Sequence, residues 1–223
     1  MIRIETHAHT SEVGPCGRMP AKELVARFAD ASYAALVVTD HLSEHWNAHL
    51  SLTERADEYL SGYRAAREEG EKRGVRVLLG AELRLSFLGD EDFLAYGLSE
   101  EQIPSLMEKL DRCPSICALH EVVNGMGGLL YQAHPFRVGL TAQNPLWLDG
   151  IEVYNGNPRH DSRNGDALAY ATRHRLSMLS GSDAHQVPDV ARGGIALSEM
   201  PADFTAYLRA TPDPVRIEDG RIL

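Results

Sequence analysis

Short apolar runs alternate with helical patterns along the whole chain, and this alternation constrains the fold more than any other feature. The predicted strands are Ile2–Thr6, Ala35–Thr39, Arg76–Leu83, Phe93–Gly97, Gly128–Gln132, Gly150–Tyr154, Ser177–Ser180 and Gly194–Leu197. The predicted helices are Pro20–Ala31, Glu54–Arg73, Ile103–Cys113, Pro114–Met126, Asp161–Arg173 and Pro201–Ala210. Such alternation is typical of an α/β fold with a mainly parallel sheet, either a barrel or an open doubly wound sheet. The length of 223 residues favours a compact barrel.

The composition is that of an ordinary globular domain. Hydrophobic residues make up 43% of the chain and charged residues 24%, so a full core can form without disulfides. No linker or repeat interrupts the sequence, and we predict a single domain over residues 1–223. The odd number of cysteines favours a reducing compartment. Because no apolar run resembles a secretory signal or spans a bilayer, we predict a cytoplasmic protein without membrane contact.

The net charge limits the partners that the protein can bind. A formal charge of −10 argues against extended nucleic-acid binding, since phosphate neutralisation needs clustered lysine and arginine. It does not exclude a small anionic substrate, because bound divalent cations reverse the sign of the field in a carboxylate-rich pocket. The oligomeric state is left open.

Potential metal ligands follow almost every predicted strand. They are His7, His9, Asp40, His41, Glu82, His134, Asp183 and His185. In parallel barrels the active site lies at the carboxyl ends of the strands, so these side chains are expected to converge. His7 and His9 point the same way from an extended strand, because side chains repeat with a period of two. Imidazole and carboxylate together suit zinc, manganese or iron, and carboxylates can bridge two ions.

Taken singly, most of these features have a plainer interpretation. A His-x-His pair can be exposed or packed in a core, and Asp40 can cap a helix. Glu82 is harder to explain in that way, because it lies inside an apolar run and a buried carboxylate is costly unless it is paired or binds a metal. The coincidence of such features at five strand ends favours one metal centre.

At these motifs the chain resembles the PHP (polymerase and histidinol phosphatase) family of metal-dependent phosphoesterases. The matching segments, in the order of the family, are Thr6-His7-Ala8-His9-Thr10, Val38-Thr39-Asp40-His41, Gly80-Ala81-Glu82, Gln132-Ala133-His134-Pro135-Phe136-Arg137, Ile151-Glu152-Val153-Tyr154-Asn155 and Ser182-Asp183-Ala184-His185. The resemblance implies a distorted TIM-like (β/α)7 barrel that binds two or three divalent ions, Zn, Mn or Fe.

The resemblance also implies which residues hold each ion. They are His7, His9, Glu82 and Asp183 for the first ion, Glu82 and His134 for the second, and His41 and His185 for the third. Asp40 is predicted to act in catalysis by orienting an imidazole.

Two positions depart from the family pattern. Family members often carry Asp or His in the loop after the first motif, whereas this loop reads Ser11-Glu12-Val13-Gly14-Pro15-Cys16-Gly17. Glu12 is the first candidate ligand in this loop and Cys16 is the second. The interpretation of Glu12 as a solvated loop residue has the same weight as its interpretation as a ligand. Family members with three ions often have a further His after the fourth strand. Here that strand ends at Tyr96-Gly97-Leu98, so the sequence leaves open whether two or three ions bind.

The predicted function is hydrolysis of a phosphate ester by a metal-bound hydroxide. The leaving oxygen could be stabilised by a metal, or protonated through bound water or His185. Arg137 and Arg18 are candidates to bind the phosphate bidentately, and Asn155 is predicted to contact the substrate. The substrate could be a small phosphomonoester, such as histidinol phosphate or a nucleotide, or an oligonucleotide end. Two alternatives remain: a metal-dependent amidohydrolase, and a non-catalytic metal-binding or regulatory domain.

Overall fold

The computed structural model describes residues 1–223, with six helices and eleven strands. The helices are α1 (Ala21–Asp30), α2 (Leu52–Arg73), α3 (Ile103–Leu110), α4 (Ile116–Gly125), α5 (Asn164–His174) and α6 (Phe204–Ala210). The strands are β1 (Ile2–Ala8), β2 (Tyr33–Val38), β3 (His41–Ser43), β4 (Arg76–Arg84), β5 (Asp92–Tyr96), β6 (Leu129–Gln132), β7 (Gly150–Asn155), β8 (Ser177–Gly181), β9 (Ile195–Leu197), β10 (Val215–Glu218) and β11 (Arg221–Ile222). Every predicted helix and strand is present, and β3, β10 and β11 are additional. None of the helices is both long enough and apolar enough to cross a membrane.

One sheet contains all eleven strands, in the order β11-β10-β9-β1-β2-β4-β5-β6-β7-β8, with β3 beside β4. The pairs β1–β2, β2–β4, β6–β7 and β7–β8 are parallel. Strand β5 is antiparallel to both of its neighbours, β4 and β6. The predicted α/β class is therefore confirmed. The sheet is mixed rather than mainly parallel, because β9 is also antiparallel to β1 and β10, and β10 is antiparallel to β11.

The sheet curls until its first strand meets the segment that follows β8. The His9 amide donates to the Ala184 carbonyl at 2.9 Å, and the Ala184 amide donates to the His7 carbonyl at 3.2 Å. Ala8 and Ala184 form an isolated parallel bridge. The curl thus brings the carboxyl ends of β1 and β8 together, although this single bridge is not a full strand ladder.

Alternating side chains fill the inside of the curl. Ala35 and Val37 of β2 belong to the same buried cluster as Leu94 of β5 and Leu179 of β8. The intervening β2 residue Leu36 packs with α1 on the other face of the sheet. Because successive side chains of a strand point to opposite faces of the sheet, the interior of the curl is apolar. The polar side chains lie at one end of the curl.

Gly193 allows the chain to pass close to the end of β8. A Cβ atom at this position would lie 2.1 Å from the backbone carbon of Gly181. We expect Gly193→Ala to lower the free energy of unfolding by about 3 kcal/mol, since the backbone must move to relieve the overlap. Gly165→Ala in α5 is the matched control, because a Cβ there meets no atom within 4 Å. Urea unfolding should show a loss only for the first variant, and equal midpoints would contradict this packing.

Candidate metal centre

Glu82 on β4 lies at the centre of a cluster of histidines. Its side chain is 1% exposed, and its Oε1 atom lies 3.3 Å from the Nε2 atoms of both His7 and His134. Its Oε2 atom lies 3.3 Å from His9 Nε2 and 3.0 Å from His41 Nδ1. One carboxylate from the middle of an apolar strand therefore faces four imidazoles.

Asp183 faces the same histidines from the opposite side, directly after β8. Its Oδ1 atom lies 3.6 Å from His7 Nε2 and 3.6 Å from His9 Nε2, and 3.1 Å from His185 Nδ1. Asp183 and His134 both have left-handed backbone conformations, with φ of 51° and 29°. Such conformations are costly for residues other than glycine and occur mainly at functional sites.

Several buried atoms of this cluster have no hydrogen-bond partner, namely His7 Nε2, His9 Nδ1, His9 Nε2, Glu82 Oε1, Glu82 Oε2 and His134 Nδ1. Each unpaired buried polar atom destabilises a fold by about 1–3 kcal/mol. Divalent cations would satisfy these nitrogen and oxygen donors, which match zinc, manganese and iron in type. The residues therefore fit bound metal ions.

Three overlapping groups of side chains could each hold an ion, because their donor atoms lie within 4.8 Å of one another. The groups are His7, His9 and Glu82; His41, Glu82 and Asp92; and His9, His41 and His185. The structure thus brings together all the predicted ligands except Glu12. Their roles as ligands, and the number of two or three ions, remain proposals.

The electrostatics of the cluster keep its carboxylates ionised. Burial raises the pKa of Glu82, but the imidazoles of His41 and His7 outweigh it and hold this pKa well below its ordinary value. Burial lowers the pKa of His7, but Glu152 and Glu82 outweigh it, so the pKa is raised well above its ordinary value. Protons on the imidazoles compete with cations, so acid should weaken metal binding.

A second layer orients the histidines. Glu152 Oε1 lies 3.0 Å from His7 Nδ1, which directs His7 Nε2 towards Glu82. Glu152 Oε2 accepts hydrogen bonds from the His134 amide at 3.0 Å and from Asn155 Nδ2 at 2.8 Å. The prediction that Asn155 contacts the substrate needs correction, because its buried amide is engaged by Glu152 and Asp183.

Asp40 also differs from its predicted role. Its carboxylate accepts hydrogen bonds from the Thr10 amide at 2.6 Å and the Thr10 hydroxyl at 2.7 Å. It therefore holds the chain just after β1 and does not orient an imidazole. The side chain takes this direction because the Thr10 amide would otherwise be an unpaired buried donor.

Asp40 should make the fold pH-sensitive. Burial raises its pKa from 3.8 to about 7, against the opposing hydrogen bonds from Thr10. Asp40 therefore ionises at a lower pH in the unfolded chain than in the folded protein. Its ionisation lowers the free energy of unfolding as the pH rises from about 4 to about 7. In chelator, we expect Asp40→Asn to gain roughly 2 kcal/mol relative to wild type between about pH 5 and pH 8. Urea unfolding at each pH measures this gain, and parallel curves for the two proteins would contradict it.

Glu12, the first candidate ligand in the loop, is directed away from the cluster. Its two carboxylate oxygens accept hydrogen bonds from the Ala21 amide at 2.9 and 3.1 Å, at the start of α1. Pro20 offers no side-chain cap at that helix end, so Glu12 supplies it. Cys16 instead lies beside the cluster, where the imidazoles of His185 and His41 lower its pKa to about 6.

Asp92 is a candidate ligand that the sequence reading missed. It is the first residue of β5, and its Oδ2 atom lies 3.8 Å from His134 Nε2. Arg84 holds its carboxylate with two hydrogen bonds of 2.7 and 2.6 Å. Burial and the nearby Glu82 raise the pKa of Asp92, as expected when two carboxylates share a site.

A signal for Asp92 was present in the sequence. The predicted strands Arg76–Leu83 and Phe93–Gly97 are too close together for a parallel crossover, which needs a dozen or more residues. The second strand therefore had to run antiparallel, so its start, and not its end at Gly97, lies beside Glu82.

A cavity of about 370 Å³ opens above the cluster. Its lining includes the arginines Arg18, Arg84, Arg137 and Arg159, together with Asn157 and His160. Arg137 and Arg18 thus lie where they were predicted, whereas Arg84 and Arg159 were missed. Arg84 shares the face of Glu82 by the period of two, which is a signal that could have identified it. The arginines give the rim a positive field over an acidic base.

The comparisons with known proteins agree with this fold. The PHP-associated family model matches residues 161–211. A two-domain protein from Bacteroides vulgatus, containing a predicted PHP-like metal-dependent phosphoesterase, has a TM-score of 0.70 at 18% identity over 99% of this chain and 66% of that one. An amidohydrolase from Chromobacterium violaceum has a TM-score of 0.57 at 18% identity over 89% of this chain and 92% of that one.

In fold the chain is similar to these solved structures, and in sequence it is similar to the PHP-associated family over residues 161–211. An uncharacterized protein of Methanocaldococcus jannaschii is 33% identical over 123 residues, which are 49% of this chain and 47% of that protein. The match therefore spans about half the length of that relative.

Proposed function

We propose that this chain is a metal-dependent phosphoesterase, built as one distorted (β/α)7 barrel domain over residues 1–223. The observation that carries the proposal is the buried cluster around Glu82, whose unpaired nitrogen and oxygen atoms lie beneath a cavity lined by arginines. Cation ligands below and guanidinium groups above suit a substrate that presents a phosphoryl group.

The residues proposed to hold the ions are His7, His9, His41, Glu82, Asp92, His134, Asp183 and His185. Divalent ions, when bound, supply Lewis acidity that activates water and offsets charge on phosphoryl oxygens. Glu82 would serve more than one ion, because each of its oxygens faces a different pair of imidazoles. Glu152 holds the His7 ring in the orientation that this arrangement requires.

Arg137 and Arg18 are proposed to orient the phosphoryl group. Arg137 Nη2 lies 3.7 Å from Asp92 Oδ2, and Arg18 Nη1 has only a 3.5 Å contact with Gln186, so both guanidinium groups keep donors for an anion. His185, which is 13% exposed at the edge of the cavity, is among the proposed ion ligands, so the leaving oxygen is proposed to take its proton from bound water.

The substrate is proposed to be a small phosphate ester. A cavity of about 370 Å³ is at the small end of ligand sites, and the net charge of −10 opposes a long polyanion. A phosphomonoester such as a nucleotide or histidinol phosphate fits better than an oligonucleotide end. The arginine lining also favours an anionic substrate over an uncharged amide.

A screen of phosphate monoesters, diesters and uncharged amides, with added Zn²⁺ or Mn²⁺, tests this function. We expect phosphate release, with kcat/KM lowered about a hundredfold in Arg137→Ala because a charged donor to the phosphoryl group is lost. Arg112→Ala is the matched control, since that side chain is 78% exposed outside the cavity. Turnover of amides alone would identify an amidohydrolase, and metal binding without any turnover would indicate a non-catalytic domain.

A further inference from the structure

The loop between β1 and α1 places a sulfur atom at the edge of the metal cluster. Here the rings of His9 and His185 stack with centroids 4.1 Å apart, and those of His9 and His41 are 4.7 Å apart. One nitrogen from each ring lies within 4.8 Å of the other two. Both nitrogens of the buried His9 lack a hydrogen-bond partner. These imidazoles form a ligand group that is one donor short of the four that zinc prefers.

Cys16 lies beside this group. It lines the same cavity as His41 and His185. The side chain is exposed to the cavity, so the metal position that it borders remains accessible to solvent.

The backbone around Cys16 is held against the cluster. A Cβ atom on Gly17 would lie 2.1 Å from the Thr10 carbonyl oxygen, so only glycine allows this close approach. The Arg18 amide donates to the His185 carbonyl at 2.7 Å. Because Glu12 is engaged at the start of α1, Cys16 is the side chain of the loop that lines the cavity together with the histidines.

We propose that Cys16 is a thiolate ligand of the cation held by His41 and His185, and that it makes this position select Zn²⁺, Co²⁺ or Cd²⁺ over Mn²⁺ and Mg²⁺. A thiolate is a soft donor, whereas Mn²⁺ and Mg²⁺ prefer oxygen ligands. On binding, the thiol proton is released to solvent and a sulfur–metal bond forms. The inference rests on the proposed function, since it requires that the cluster binds cations.

Titration with Co²⁺ tests the proposal without an activity assay. Thiolate ligation produces a sulfur-to-cobalt charge-transfer band in the near ultraviolet, in addition to the visible bands of bound Co²⁺. We expect this band in wild type and in the control Cys117→Ser, whose thiol lies by Glu121 on α4. We expect Cys16→Ser to lose it. Cys16→Asp should shift the ratio of Zn²⁺ to Mn²⁺ affinity towards Mn²⁺ by about tenfold or more.

The possible outcomes separate the two proposals. Full Co²⁺ binding by wild type without the charge-transfer band would overturn thiolate ligation and leave the metal centre intact. A band that persists in Cys16→Ser would overturn it as well. Failure of wild type to bind any transition metal would instead overturn the proposed function, and the thiolate ligand with it. Circular dichroism checks that the Cys16 variants, altered at an exposed side chain, remain folded.

Discussion

Glu82→Gln is expected to lower kcat/KM for phosphate-ester hydrolysis roughly a thousandfold, which corresponds to about 4 kcal/mol of transition-state stabilisation. The reason is that a single carboxylate faces His7 and His134 with one oxygen and His9 and His41 with the other. An amide has nearly the same shape, but it carries no charge and replaces one oxygen with a hydrogen-bond donor. The variant should therefore hold fewer ions while it keeps its fold.

Elemental analysis and steady-state kinetics on the same preparations measure this effect. Glu199→Gln is the matched control, because the same substitution is made at an exposed carboxylate outside the cluster. The control should keep wild-type ion content and activity. Wild-type ion content in Glu82→Gln, with activity within about tenfold of wild type, would show that Glu82 is not a bridging ligand.

Removal of divalent ions is expected to lower the free energy of unfolding by about 4 kcal/mol, relative to protein at an ion concentration about a thousand times the Kd. Without cations the buried donor atoms of His7, His9 and Glu82 lack hydrogen-bond partners. Acid should reduce the stabilisation by ions, because the imidazole ligands must lose their protons to bind them.

Urea unfolding with saturating Zn²⁺ and with chelator measures this difference. In Glu82→Gln the same pair of measurements should differ by less than about 1 kcal/mol, because most of the ion affinity is lost. Identical unfolding midpoints for wild type in the two conditions, with ion removal verified by elemental analysis, would contradict a structural role for the cations.

Much of the fold could be predicted from the chain alone, because each strand and helix has a local signature. Runs such as Tyr33–Val38 are apolar on both faces and therefore buried in a sheet. The long helix α2 begins with a Ser51–Glu54 capping box and ends at Gly74, which has a left-handed conformation. Strand direction has no signature inside the strand itself. For β5 the signal lay in the short connection after β4, and it was missed.

The part of the candidate site that is positioned by the ends of strands could be predicted from the sequence. Side chains placed by strand pairing, such as His7 and Glu82, lie where the motif spacing predicted. Side chains in loops do not follow that rule. Glu12 and Asp40 each turn towards a backbone amide that would otherwise be unpaired, those of Ala21 and Thr10.

By itself, the sequence determined the α/β class, the position of nearly every strand and helix, and the histidines and carboxylates that gather at one mouth. These depend on the apolar period and on residue type, which are local properties of the chain. Only the tertiary structure decided the entry of Asp92 into the cluster and the position of Cys16, rather than Glu12, in the cavity lined by His41 and His185. Those outcomes depend on which buried donors and acceptors meet across the sheet, and such pairings form only when distant segments fold together.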